Sequence, residues 1–187
     1  MARPLDEEKR KAILDSAVRI IAGQGLNATT ALIAKEAGIS TGSLFTYFPD
    51  KVTLLNQLYL HIKTEVATAL IYEFPLQARI ENKAFHVWKS YVAWACNNPE
   101  KRTALQQLTV SRVISEGTRK QSQAMFEVVN HMLSELSNSE SCQNVAFITA
   151  VMASLAETTI DFVINEPGRT NEYTDTGFRM FWQSLRM

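Results

Sequence analysis

The 187 residues include 19 Lys plus Arg and 19 Asp plus Glu, a formal net charge of zero, so bulk charge gives no basic signature for nucleic acid or membrane surfaces. Only seven Gly and five Pro occur, and no alternating runs of Val, Ile and Thr appear, which argues against a β architecture and for an all-α fold. The length suits one large domain, or a small domain fused to a larger one.

Splitting the chain does not expose a charged half. Residues 1–51 hold seven Lys or Arg against six Asp or Glu, and the remainder holds twelve against thirteen. Nucleic-acid binding would therefore depend on local placement of charge. Cys96 and Cys142 lie far apart without a CxxC or Cys/His cluster, and read as reduced thiols. The opening MARPLDEEKRK lacks the apolar segment of a secretory signal. The most apolar stretch, Val145 to Ile164, is interrupted by Ser154, Glu157 and Asp161, against a membrane span. A soluble cytoplasmic protein is expected.

Asp6-Glu7-Glu8 ahead of Lys9-Arg10-Lys11 opens a first helix, with acids at the positive end of its dipole. Ile13, Leu14, Ala17, Ile20 and Ile21 form its apolar face until Gly23 and Gly25 end it. Thr29 and Thr30 offer an N-cap for a short second helix carrying Leu32, Ile33, Ala34 and Ala37, closed by Gly38. Ser40 caps a third helix with Leu44 and Phe48 facing inward, and Pro49 stops it. Asp50 caps a long fourth helix through Leu55, Leu58, Tyr59, Ile62, Val66 and Leu70. Phe85, Trp88, Tyr91, Val92 and Ala95 stripe a fifth, ended by Asn97-Asn98-Pro99. A shorter helix runs from Pro99 towards Val113, another from about Thr118 to Leu136, then a polar loop over 137–144. Val145–Ile164 and a last helix with Phe178, Phe181, Trp182 and Leu185 complete about nine helices. The expected division is a domain over 1–50 and a second over 51–187.

Ala34, Gly38 and Ser40 set the pattern A-x3-G-x-S. In a helix-turn-helix the alanine packs closely on its neighbour, the glycine makes the turn, and the second helix enters the major groove. Ser40, Thr41, Gly42, Ser43, Phe45 and Thr46 are then candidates at the DNA, with small residues letting the backbone approach. Tyr47 and Lys51, with Thr29 and Thr30 at the preceding helix, are candidates for phosphates. On this motif alone, an ordinary helical hairpin with a polar surface reads about as well.

The wider run, Thr29, Ile33-Ala34, Ala37-Gly38-Ile39-Ser40, Gly42-Ser43-Leu44-Phe45, Tyr47-Phe48 and Lys51, resembles the N-terminal signature of TetR/AcrR-family repressors over roughly residues 8–55. Phe45 departs from the usual tyrosine there. MARP, LYLHIK at 58–63, SYVAW at 90–94 and LAETTIDF at 155–162 are similar to RamR-type members, repressors linked to multidrug-efflux control. The resemblance implies an N-terminal helix-turn-helix, a C-terminal ligand-binding and dimerisation domain, a palindromic double-stranded operator, a small-molecule effector and no cofactor.

It also implies dimerisation through the last two helices. In the 145–164 helix, Ile148, Met152, Leu155, Thr159 and Val163 share a side with Thr149. Ala146, Ala150, Ala153, Ser154, Glu157 and Asp161 lie opposite. Candidate interface residues are Ala150, Ser154, Glu157, Asp161, Phe178, Phe181, Trp182 and Leu185; the aromatics also read as core of their own chain, and both roles can hold together. Glu157 and Asp161 are expected as rim groups able to pair with Arg179 or Arg186. Effector candidates among the central helices are Tyr59, Ile62, Lys63, Val66, Trp88, Tyr91, Thr149 and Met152, each of which also reads as core packing. A ligand that tilts the fourth helix would alter the spacing of paired recognition helices.

Two other classes compete. One is a helical sensor without DNA function. The other is a small all-α enzyme, poorly supported because His61, His86 and His131 stand alone, without HExxH, GxSxG or metal spacing.

Overall fold

The structure, a computed structural model, describes residues 6–139 and 144–185, and side-chain environments outside 137–139. While 137–139 continue a helix, residues 140–143 of the polar loop expected over 137–144, Cys142 among them, the MARP start and Arg186 lie outside the residues described. Among those residues there are ten α-helices, one 3-10 turn at Pro167–Arg169 and no strand: α1 (Glu7–Gln24), α2 (Thr30–Glu36), α3 (Thr41–Tyr47), α4 (Lys51–Ile71), α5 (Ile80–Asn97), α6 (Pro99–Val110), α7 (Glu116–Ala124), α8 (Glu127–Ser139), α9 (Val145–Asn165) and α10 (Thr170–Ser184). The expected helix from Thr118 to Leu136 is two, α7 and α8, parted at Met125-Phe126. Its start moves back because Ser115 Oγ accepts from Thr118 N at 3.1 Å and so caps α7.

Two compact units form. One reaches to Thr64 and resumes over Asn98–Gln123; the other takes Glu65–Asn97 and the chain from Ala124 onward. Packing therefore does not divide at residue 50. The division falls within α4, and α6 and α7 belong with the helix-turn-helix.

The first unit grows around α1. Asp6 Oδ1 accepts from Glu8 N at 3.0 Å and Lys9 N at 3.3 Å, and Gly25, at φ +79°, ends the helix. The buried stripe of Ile13, Leu14, Ala17, Val18 and Ile21 meets α2 and α6, the latter bringing Ala104, Leu105 and Leu108. Gln107 Nε2 donates to Ile21 O at 3.3 Å. Arg119 on α7 closes α6, donating to Thr109 O at 3.0 Å and Ser111 O at 2.9 Å. Asn56, buried on α4, uses its whole amide. Its Nδ2 donates to Val52 O at 2.8 Å and Val113 O at 2.9 Å, while Oδ1 accepts from Ser115 N at 2.9 Å. One side chain thus fastens the α6–α7 connection to α4.

The second unit packs α5, α8, α9 and α10 about Trp88. That ring is 1% exposed, stacks on Phe181 with centroids 6.2 Å apart, meets Phe178 edge-on, and donates from Nε1 to Thr174 O at 3.0 Å. Gly177 lets α10 come against it: a Cβ there would stand 2.8 Å from Trp88 Cζ2 and collide with Thr159 Oγ1. Phe178, Phe181, Trp182 and Leu185, expected at a dimer interface, are buried within their own unit, at 0% to 7% exposure. They therefore pack as core of their own chain, with Phe178 and Phe181 against Trp88 and Trp182 stacked on Phe178.

α9 is capped by Asn144, whose Oδ1 accepts from Phe147 N at 3.1 Å. Its mean hydropathy reaches 1.6, so by length and composition it is apolar enough to cross a membrane, despite Glu157 and Asp161. Ile148, Met152, Ala156, Thr159, Ile160 and Val163 are nevertheless buried on one face, and α9 packs on α5, α8 and α10 as a core helix of this unit.

Candidate nucleic-acid interface

Three local caps build the helix-turn-helix. Thr29 Oγ1 accepts from Leu32 N at 3.2 Å and starts α2. Ala37 N returns to Ile33 O at 2.9 Å and Ile39 N to Ala34 O at 3.0 Å, closing α2 through Gly38 at φ +68°. Ser40 Oγ accepts from Ser43 N at 3.1 Å and starts α3. Asp50 Oδ1 then accepts from Thr53 N at 2.6 Å to start α4, and these bonds hold its carboxyl below the usual aspartate range.

Four side chains anchor the motif: Ile33 and Leu44 at 0% exposure, Ala34 and Phe48 at 1%. Arg10 lies 5.6 Å over the Phe48 ring while its Nη2 donates to Gln57 Oε1 at 2.8 Å. With α3 fixed by that inner face, Gly42, Ser43, Phe45 and Thr46 are exposed, and Thr41 and Tyr47 half-buried. Ser40 and Thr29 are exposed and Thr30 and Lys51 half-buried. The ten candidate residues thus occur on the α2 start, the α3 start and outer face, and the α4 start, all within one unit. Arg19 and Glu36 form an ion pair at 2.8 Å, while Arg10, bonded to a neutral amide, keeps its charge beside the motif.

The eight effector candidates fare differently. Tyr59, Ile62, Val66, Trp88 and Met152 are buried, Lys63 and Tyr91 half-buried, and Thr149 exposed, its hydroxyl donating to Val145 O at 2.7 Å. Burial pulls the Lys63 ammonium below the ordinary lysine value, and it sits 5.7 Å over the Tyr59 ring. None of the eight lines the open groove of the second unit. That groove holds about 760 Å³ between α5, the end of α9 and the start of α10. Phe85, Val92, Val163 and Pro167 supply apolar wall, with Lys89, Asn97, Asn171 and Asp175 as its polar groups. Phe85 and Val92 belong to the apolar stripe that spacing marks on α5, but periodicity reports a buried face and does not say which part of it borders a groove.

The small-residue face of α9 is open: Ala146, Ala150, Ala153, Ser154 and Asp161 are exposed, beside Phe147 at 61% and Phe162 at 50%. Glu157 differs from the expected rim group. It is half-buried and accepts from the Tyr91 hydroxyl at 2.5 Å, a bond into its own unit, while Arg179 Nη2 donates to Thr176 Oγ1.

A glycine-turned helix pair with its second helix open to solvent defines a helix-turn-helix protein. Residues 13–58 match the family model for bacterial regulatory proteins of the tetR family. A putative tetR-family transcription regulator from Shewanella sp. PV-4 superposes with TM-score 0.86 at 25% identity, covering 96% of this chain and 98% of that one. A TetR-family regulator from Marinobacter aquaeolei VT8 gives 0.87 at 20% identity, with 96% of each chain covered. The HTH-type transcriptional regulator HbdR of Aromatoleum sp. (strain CIB) is 36% identical over 93 residues, 49% of this chain and 38% of its own. Residues 13–58 thus carry the tetR-family regulatory domain, and the chain as a whole shares the fold of TetR-family regulators. It spans between a third and a half of the length of the first curated relatives it matches.

Proposed function

We propose that the protein is a ligand-responsive transcriptional repressor that binds a palindromic operator as a homodimer in the cytoplasm. The observation that carries this reading is α3. Leu44 and Phe48 hold it to the core while its opposite face, Gly42, Ser43, Phe45 and Thr46, is left to solvent. A short helix that spends two side chains on its own fold and exposes the rest suits insertion into a groove. The open small-residue face of α9 supports a second copy, since small side chains let helices approach closely. Residues 1–50 would act as the DNA-reading segment and 51–187 as the sensing and dimerising one.

The effector is a small aromatic or amphipathic molecule, and the groove of about 760 Å³ in the second unit is of a size to hold it. α4 starts at Lys51, immediately after the recognition helix, and its residues contribute to both units. An effector that favours a different α4 placement lowers DNA affinity by the factor with which DNA lowers effector affinity. The likeness to RamR-type members extends the proposal to genes of multidrug efflux.

The test is binding of the purified chain to the promoter adjoining its gene. Wild-type protein should retain that duplex with an affinity that falls steeply with salt. Thr46→Ala with Tyr47→Ala should weaken it. Equal retention by the double variant, or a flat salt dependence, would favour a sensor without DNA function.

A further inference from the structure

α3 reads Thr41-Gly42-Ser43-Leu44-Phe45-Thr46-Tyr47. It carries no Arg, Lys, Asn, Gln, Asp or Glu. The bidentate pairs by which proteins most often read guanine and adenine in the major groove therefore have no source on this helix. Its hydroxyls are partly spent as well. Ser43 Oγ and Ser40 Oγ lie 2.9 Å apart in a mutual hydrogen bond, and Ser40 Oγ also accepts from Ser43 N. Thr46 Oγ1 donates back to Gly42 O at 3.3 Å.

The large apolar group on the outer face is Phe45. Phe45 is 41% exposed, one helical turn after Thr41 and next to Thr46. Single exposed apolar residues are ordinary on protein surfaces. Phe45 differs in position, because it stands on the face of the helix that the DNA-binding reading turns to base edges. The apolar group on a major-groove base edge is the thymine C5 methyl.

We infer that Phe45, supported by Thr41 and Thr46, is the specificity-determining residue of α3 and that it reads thymine methyl groups. Operator half-sites then carry thymines beneath α3, and discrimination comes from methyl burial in place of hydrogen-bond pairing. The inference rests on the DNA-binding function proposed for the chain, and names what that site reads. Phe45 takes the place where a tyrosine is usual, and so offers the groove a ring without a hydroxyl.

The experiment begins with selection of duplexes from a random-sequence pool by the full-length protein. The best duplex is then resynthesised with dU for dT, position by position, which deletes the methyl and leaves base pairing intact. Burial of one methyl corresponds to about fourfold in affinity, so two replaced together should cost roughly fifteenfold. Phe45→Ala should bind the thymine duplex more weakly and lose most of its discrimination against dU. Phe45→Leu, which keeps an apolar side chain, should retain part of it. Equal affinity of wild-type protein for the dT and dU duplexes overturns the inference, as does an undiminished dU penalty in Phe45→Ala. Failure of any duplex to enrich overturns the DNA-binding reading itself, a separate outcome.

Discussion

Replacing Gly177 with alanine sets two effects of opposite sign against each other. Gly177 lies inside α10, where alanine is the better helix former by about 1 kcal/mol. On propensity alone the variant should be more stable. The packing says otherwise. The new Cβ would stand 2.8 Å from Trp88 Cζ2, well inside the ~3.5–4.0 Å of an ordinary carbon contact, and would collide with Thr159 Oγ1. Neither neighbour yields cheaply. Trp88 is held by its bond to Thr174 O and by its stack on Phe181, and Thr159 Oγ1 donates to Leu155 O at 2.9 Å. Overpacking of this kind costs about 1–3 kcal/mol, and breaking the Thr159 bond about 1 more. Set against the gain in propensity, Gly177→Ala should lose about 1–3 kcal/mol, a fall in melting midpoint of roughly 3–10 °C for a chain of this length. Far-UV circular dichroism melts at one fixed protein concentration measure it, because self-association would make the midpoint concentration-dependent. Thr159→Ala with Gly177→Ala should recover part of the loss. A Gly177→Ala protein that melts at or above wild type would refute the close approach of α10 to Trp88.

Gly38→Ala meets no atom within 4 Å, so its cost is that of φ +68° alone, about 1 kcal/mol, read as a lower urea midpoint. Asn56→Ala strands Ser115 N–H and removes a partner from Val113 O, for a loss of about 2–4 kcal/mol in the same measurement. The Thr53 bonds hold the folded Asp50 carboxyl below the ordinary aspartate pKa, so its contribution is complete above that ordinary value and lost as pH falls through the folded pKa. Stability profiles of wild type and Asp50→Ala should accordingly converge in acid and separate above about pH 4; a constant gap would exclude the Thr53 bond as the cause. Lys51→Ala should weaken promoter binding and make the log–log salt dependence shallower by about one, as expected for a lost phosphate contact; an unchanged slope would remove Lys51 from the interface.

The helix-turn-helix was legible because its instructions are local. Thr29, Ser40 and Asp50 each cap the helix that follows within three residues, and Gly38 adopts the left-handed turn its place implies. The second unit was harder for a reason of physics. Amphipathic spacing reports that a face is buried and is silent on what buries it. Phe178, Phe181 and Trp182 therefore fit a dimer seam as well as a core by spacing, and only the fold shows that Trp88 packs on the two phenylalanines and Phe178 on Trp182. Glu157 shows the same limit at one residue. A wheel sets it beside Ala150 and Ser154, yet the Tyr91 hydroxyl, on another helix, draws it inward.

The boundary at residue 50 has a different lesson. Pro49-Asp50 is a true end and start of helices, and a sequence offers no stronger punctuation there. Cooperative packing does not follow punctuation. α1 needs cover for Ile13, Leu14, Ala17 and Ile21 along its full length, and the short helices α2 and α3 supply few large side chains. α6 provides the remainder with Ala104, Leu105 and Leu108, Arg119 closes α6, and Asn56 ties the α6–α7 connection to α4. A helix-turn-helix of one long helix and two of seven residues is too small to bury its own core. It borrows that core from a segment some fifty residues further on, so a substitution that opens the α1–α6 packing should lower the stability of the whole unit that holds the helix-turn-helix.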